Sequence, residues 1–368
     1  MIYLDSGATS FRKPPEVYRA VLEAMHSCAN PGRGGYGAAR RAGEVVYGCR
    51  EAAGELFHCL PEQVVLTANC THGLNLAIRS CIRPGSTVVI SGFEHNAVTR
   101  PLHALDVKLR VAGRTLFDQE DTLRAFQQAL EGADAAVFPH VSNVFGYILP
   151  VEAMAAACRE RGIPFILDAA QSAGTLPVSL EALGADFIAM PGHKGLLGPQ
   201  GTGLLLCRNG AEPLLYGGTG SFSRQQTMPS ELPDRLEAGT LNVPGFAGLQ
   251  AGLRYLRRRK VESVFRTEHT LLQMCVRGLQ RMGMQVFSGD NQAATVSFLP
   301  GMDCQEAADF LAKRGIAVRA GLHCAPYAHE SAGTLETGTV RVSIGYDTFF
   351  DQIAAFLREA SKLPRFAG

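Results

Sequence analysis

Short apolar runs alternate with longer amphipathic stretches through the first two thirds of the chain, and that alternation sets the architecture. Val64–Leu66, Thr87–Ile90, Ala135–Phe138, Phe165–Leu167, Phe187–Ala189 and Gly203–Leu206 are almost wholly apolar, as expected of strands buried on both faces. Helical spacing fits Pro14–Ala29, Gly43–Phe57, Leu74–Ile82, Leu123–Leu130 and Val151–Arg161. The alternation predicts an α/β fold with a mostly parallel sheet. Met1–Asp5 reads as a first strand, and Asn30-Pro-Gly-Arg-Gly-Gly-Tyr36 as a mobile loop.

The pattern changes after about Val243. Two long helices, near Phe246–Arg259 and Glu262–Arg281, lead into a different set. That set reads strand Thr295–Phe298, helix Gln305–Lys313, strands Ile316–Arg319 and Val340–Ile344, and helix Phe349–Lys362. The expected division is an N-terminal segment (1–15), a large domain (16–245) and a small α+β C-terminal domain (246–368). The N-terminal helix can pack with the small domain.

Bulk properties narrow the function classes. The 368 residues suffice for two domains with ample core, and a formal net charge of +1 gives no general pull toward nucleic acid or an anionic membrane. The run Arg257-Arg258-Arg259-Lys260 reads as a solvated helix end. No apolar stretch reaches membrane-spanning length, and the N-terminus lacks a signal-peptide pattern. The ten cysteines form no Cys-x-x-Cys pair and read as free thiols, which points to the cytoplasm.

Polar clusters fall where α/β sheets bind ligands, at the carboxyl ends of strands. Asp168 ends one apolar strand, and the turn Pro191-Gly192-His193-Lys194 ends the next. An amine for a Schiff base and a carboxylate for a ring nitrogen are what pyridoxal phosphate requires. Alone, Asp168 reads as a helix cap; with Gln171 one turn on and Lys194 beyond, the cofactor reading is favoured. Gln171 can donate to the cofactor's phenolate oxygen.

The turn Thr67–Gly73 opens a helix whose free N–H groups suit a phosphate, with Thr71 and His72 as candidate contacts and His193 placed to reach the same group. An ordinary capped helix is the competing reading. His95 follows the strand ending at Ser91 and can stack on a flat ring and handle protons, although a lone histidine is more often structural. Asn143 can bind the cofactor oxygen or a substrate carboxylate. Arg341 alternates with apolar neighbours and suits a carboxylate too, unless it is an edge arginine facing water.

Cys324, beside His323 on a short loop, can be a reactive thiolate; the other nine cysteines read as small buried hydrophobes. The spacing of His323, Cys324 and His329 matches no strong zinc pattern, so no metal is expected.

In this order the segments resemble class V pyridoxal-phosphate enzymes of the aminotransferase fold, in particular cysteine desulfurases and selenocysteine lyases. The resemblance runs from Tyr3-Leu-Asp-Ser-Gly-Ala8 to Val340-Arg-Val-Ser343. Its specific signatures are Gly-His-Lys followed by Gly-Pro-x-Gly, Arg-x-Gly-x-His-Cys ending at Cys324, and Glu237-Ala-Gly-Thr240-x-Asn242. It implies the type I transferase fold with a seven-stranded sheet. It also implies a homodimer in which Thr240 contacts the neighbouring subunit's cofactor. The implied reaction converts L-cysteine to L-alanine, with Lys194 moving the α-proton, Arg341 holding the carboxylate, His95 as acid or base, and the sulfur held on Cys324 for an acceptor protein.

Three rival readings stand. They are L-selenocysteine as substrate, another class V reaction with Cys324 incidental, and a cofactor-binding sulfur carrier without turnover. Pro191 departs from the family, which often has a phosphate-binding serine there; Asn96 stands where a second His or polar group often follows the stacking His.

Overall fold

The computed structural model describes residues 1–32 and 34–366, so Arg33 of the expected mobile loop and residues 367–368 of the C-terminal domain lie outside the described residues. The chain opens with β1 (Ile2–Tyr3), α1 (Pro15–Ser27) and α2 (Gly37–Phe57). The sheet-building part follows as β2 (Val64–Thr67), α3 (Cys70–Cys81), β3 (Thr87–Ser91), α4 (Asn96–Ala104), β4 (Lys108–Ala112), α5 (Gln119–Ala129), β5 (Ala135–Pro139), α6 (Val151–Arg161), β6 (Phe165–Asp168), α7 (Leu180–Leu183), β7 (Phe187–Pro191) and β8 (Gly203–Cys207). Its seven strands lie in the order β2-β8-β7-β6-β5-β3-β4. They are parallel except for β8, which runs antiparallel to both β2 and β7.

The apolar runs are strands for the expected reason: every residue of β5, β6, β7 and β8 is buried. The sequence reading missed β4. Among the described residues it pairs only with β3, at the sheet edge, and its Lys108 and Arg110 stay exposed. Charge on an edge strand blocks further pairing and also breaks the apolar signal. Helix α2 starts six residues before the expected Gly43, across the small and basic run Gly37–Ala42.

The C-terminal part comprises α8 (Val243–Arg259), α9 (Val261–Arg281), β9 (Gln285–Phe287), β10 (Thr295–Leu299), α10 (Cys304–Ala312), β11 (Ile316–Ala317), β12 (Arg319–Gly321), α11 (Pro326–Ala332), β13 (Thr339–Ser343) and α12 (Phe350–Ala360). Four strands form a sheet in the order β12-β13-β10-β9. The expected single strand Ile316–Arg319 is two: β11 pairs parallel with β1, and β12 pairs antiparallel with β13. The N-terminus is thereby stitched into the C-terminal part, and Leu4 is fully buried in its core. Helix α8 packs along α1 and α2, with Phe246, Leu249, Leu253 and Leu256 in the core shared with the seven-stranded sheet.

One buried ion pair fixes the stretch after β8. Arg50 of α2 forks onto Glu237 with two bonds of 2.8 Å, and Glu237 also accepts from Leu66 N–H in β2 at 2.6 Å. Two charges out of water need such complete pairing. Among the described residues no helix is long and apolar enough to cross a membrane.

Candidate active site

The parallel strands β5, β6 and β7 deliver their carboxyl ends to one cavity of about 240 Å³. Thr71, His95, Asn143, Asp168, Gln171, His193 and Lys194, seven of the residues singled out in the sequence, line it together. Lys194 sits in the tight turn after β7. Side chains at Gly192 and Gly195 would collide with Thr202 and with the Ala173 carbonyl, so the turn needs both glycines. Burial pushes the Lys194 amine below its usual range, and the nearby Asp168 opposes that push. Burial raises the Asp168 carboxyl, while the Ala170 N–H, 2.9 Å from Oδ1, and Lys194 favour its charged form.

His95 caps α4. Its Nδ1 accepts from Ala97 N–H at 3.0 Å, so in the neutral ring the proton sits on Nε2. Burial first, then the positive charge of Lys194, lowers its pKa to about 4, so the ring is neutral near pH 7. Asn69 caps α3 by accepting from His72 N–H at 2.9 Å. Cys70 and Thr71, whose amides in the first turn have no helical carbonyl to bond, line the same cavity.

Cys324 is exposed and does not line this cavity, but its loop is tied to it. Asn143 Nδ2 donates to the His323 carbonyl at 2.8 Å, and Asn96 N–H donates to the Cys324 carbonyl at 2.7 Å. His323 and Cys324 both hold left-handed backbone, φ 50° and 58°. Two successive non-glycine residues in that region are strained and persist only where surrounding bonds impose it. Arg341 is buried behind Asn143: Nη1 donates to the Asn143 carbonyl at 2.9 Å, Nη2 to Asp5 at 2.7 Å, and Nε has no partner among the described residues.

Besides Cys324 and Arg341, two expected cofactor contacts, His72 and Thr240, are not brought into the cavity of this chain. His72 is half-buried, and its Nδ1 is turned back toward Ala68 N–H at 3.4 Å. Thr240 is exposed in a separate groove with Arg50 and Glu237. Other residues went unnoticed in the sequence. Ser10 Oγ donates to the carbonyls of His193 (2.9 Å) and Lys194 (3.1 Å), and Lys13 Nζ to that of His193 at 3.0 Å. Thr9 Oγ1 lies 3.0 Å from His193 Nδ1. The N-terminal segment therefore clamps the lysine turn. Only the polar run Thr9-Ser10 beside Lys13 hinted at it, and such runs are common in loops.

Behind Lys194 lies a smaller cavity of about 50 Å³, lined by Ser10, Gln171, Thr175, Glu268 and Tyr346 among others. Burial, then the charge of Asp347, pushes the Glu268 carboxyl up to about 8. An unfolded glutamate ionises near pH 4.3, so between there and about pH 8 the folded state holds a proton that the unfolded state has lost. Stability from this group is complete below that window and is lost as pH rises through it, at up to about 1.4 kcal/mol per pH unit. Glu268→Gln removes the titration. Urea midpoints should show the variant gaining on the parent from pH 5 to 8, and a pH-independent gap would disprove the assignment.

A lysine and a buried carboxylate at adjacent strand ends, beside the first turn of a helix, match what a cofactor with a ring nitrogen and a phosphate requires. The aminotransferase class-V family profile matches residues 2–356. A probable cysteine desulfurase of Methanothermobacter thermautotrophicus is 31% identical over 96% of this chain and 92% of the relative. One from Xylella fastidiosa is 31% identical over 100% of this chain and 92% of the relative. Among solved structures, an apo cysteine desulfurase from Thermococcus onnurineus NA1 superposes with a TM-score of 0.90 at 30% identity, covering 98% of this chain and 94% of that one. The chain belongs to the class-V aminotransferase family, whose cofactor is pyridoxal phosphate.

Proposed function

We propose that the chain is a cysteine desulfurase: it takes sulfur from L-cysteine, releases L-alanine and holds the sulfur as a persulfide on Cys324. The observation that carries this reading is the strained Cys324 loop, pinned by Asn96 and Asn143 to the rim of the Lys194 cavity. The names of the relatives point the same way.

The residues present fit the cofactor. Asp168 Oδ2 suits the ring N–H, and the amides of Cys70 and Thr71, with Thr71 Oγ1 and His193, suit the phosphate. Gln171 suits the phenolate oxygen, although one of its N–H groups already donates to the Gly7 carbonyl at 3.0 Å. Pyridoxal phosphate bound there supplies an electron sink for the substrate's α-carbon.

Lys194 anchors the cofactor and moves the α-proton, a task suited to an amine whose burial favours its neutral form. Arg341 and Asn143 hold the substrate carboxylate; Arg341 does so by exchanging Asp5 for it. His95, neutral with its proton on Nε2, donates toward the reacting centre. Cys324 Sγ, as thiolate, forms an S–S bond to the substrate sulfur as the substrate C–S bond breaks. The electrons of that bond stay with the carbon fragment, which takes up a proton and leaves as alanine.

Thr240, exposed and away from its own cavity, serves the cofactor of a second copy in a homodimer; its place beside the fixed Glu237 supports this. An exposed Cys324 suits handover to an acceptor protein, and ten unpaired cysteines suit the reducing cytoplasm.

The test is to incubate the holoenzyme with L-cysteine and measure alanine and sulfide with and without a thiol reductant. Equimolar products with reductant, and protein-bound sulfur without it, are expected. Pyruvate and ammonia in place of alanine would overturn the assignment. The same assay with L-selenocysteine ranks the two substrates.

A further inference from the structure

The cofactor cavity contains a thiol that the mechanism above leaves unused. Cys70, the first residue of α3, is buried and lines the cavity beside Asp168. Its Sγ lies 3.6 Å from Asp168 Oδ1, within reach of an S–H···O contact. The Ala170 N–H donates to the same oxygen at 2.9 Å. The two donors come from different elements, the start of α3 and the turn after β6. The position of α3 is itself fixed by the Asn69 cap. Burial, and then the negative charge of Asp168, raises the Cys70 thiol well above its usual range, so it is an S–H and can only donate to a carboxylate.

We propose that Cys70 is a positioning residue for Asp168: its S–H and the Ala170 N–H together hold Oδ1, so that Oδ2 is presented to the ring nitrogen of the cofactor. One donor alone would leave the carboxylate free to rotate about its terminal bond, which is broad and roughly two-fold. A second donor off that axis fixes the plane. A thiol suits the role because it is a weak donor. It orients the carboxylate while leaving most of its negative charge for the ring nitrogen, where a charged donor would compete for it. The contact also separates Cys70 from an ordinary buried cysteine, whose sulfur meets apolar atoms.

The proposal rests on the reading of Asp168 as the partner of the ring nitrogen, and its test separates the two. The first readout uses apoprotein. The S–H stretching band of Cys70, isolated as the infrared difference between the parent and Cys70→Ala, should lie below that of a thiol without an acceptor. Asp168→Ala should return it to the unbonded position. The second readout is affinity for pyridoxal phosphate, which Cys70→Ala should weaken by about threefold to tenfold, the effect of losing one hydrogen bond. A Cys70 band that Asp168→Ala does not move, with unchanged affinity in Cys70→Ala, would reduce Cys70 to packing. The isosteric Asp168→Asn should itself change the cofactor's absorbance and affinity; if it changes neither, the reading of Asp168 fails.

Discussion

Lys194→Ala is expected to yield a folded protein that lacks the visible band of the lysine-linked cofactor and turns over L-cysteine about 10²- to 10⁴-fold more slowly, from loss of the proton transfer alone. The fold should survive because the amine does little for it. Lys194 is held by its turn: the Gly192 N–H donates to Thr202 at 2.8 Å, the Gly198 N–H to Gly192 at 2.7 Å, and Ser10 and Lys13 bind the turn's carbonyls. None of these bonds uses the lysine side chain. Burial disfavours the charged amine, and Asp168 keeps its bonds from the Ala170 N–H and the Cys70 thiol when the amine is removed. The measurements are an absorption spectrum after reconstitution, a steady-state rate and a urea curve on one preparation. Retention of both band and rate would mean that another amine carries the cofactor, and Lys13, some 180 residues away in sequence but bonded to the same turn, would become the residue to test.

The sequence made the strands of the large sheet legible because each is an apolar run, and it made Asp168 and Lys194 legible because each ends such a run. What it hid depends on distance along the chain. The split between β11 and β12 is invisible locally: one stretch changes partner from β1 to β13 around Val318, and only the tertiary pairing records that. The clamp of Thr9, Ser10 and Lys13 on His193 spans 180 to 184 residues and has no periodicity to betray it. Edge strand β4 was lost because solvent-facing charges interrupt its pattern. Cys70 looked like a filler in a capped helix, since nothing local says that its sulfur meets a carboxylate from β6. Arg341 was legible as a strand residue suited to a carboxylate, whereas its bond to Asp5 was not.

Cys324→Ala is the complementary experiment, because it should separate cofactor chemistry from sulfur chemistry. The variant keeps the Lys194 cavity: the loop's bonds to that cavity run through the backbone carbonyls of residues 323 and 324, and alanine preserves both. Left-handed backbone is no harder for alanine than for cysteine, since either carries one Cβ. The visible band and its change on adding L-cysteine should therefore persist. Protein-bound sulfur should vanish, and the rate of alanine formation should fall by about 10²-fold or more, since no other exposed cysteine sits on a loop tied to the cavity to accept the sulfur. Mass spectrometry of the parent after L-cysteine without reductant should find one added sulfur, on the peptide bearing Cys324. If the variant still gives alanine and sulfide at the parental rate, sulfur leaves without a protein thiol. The strained pair His323–Cys324 would then need a different explanation, such as shaping the substrate entrance beside Asn96.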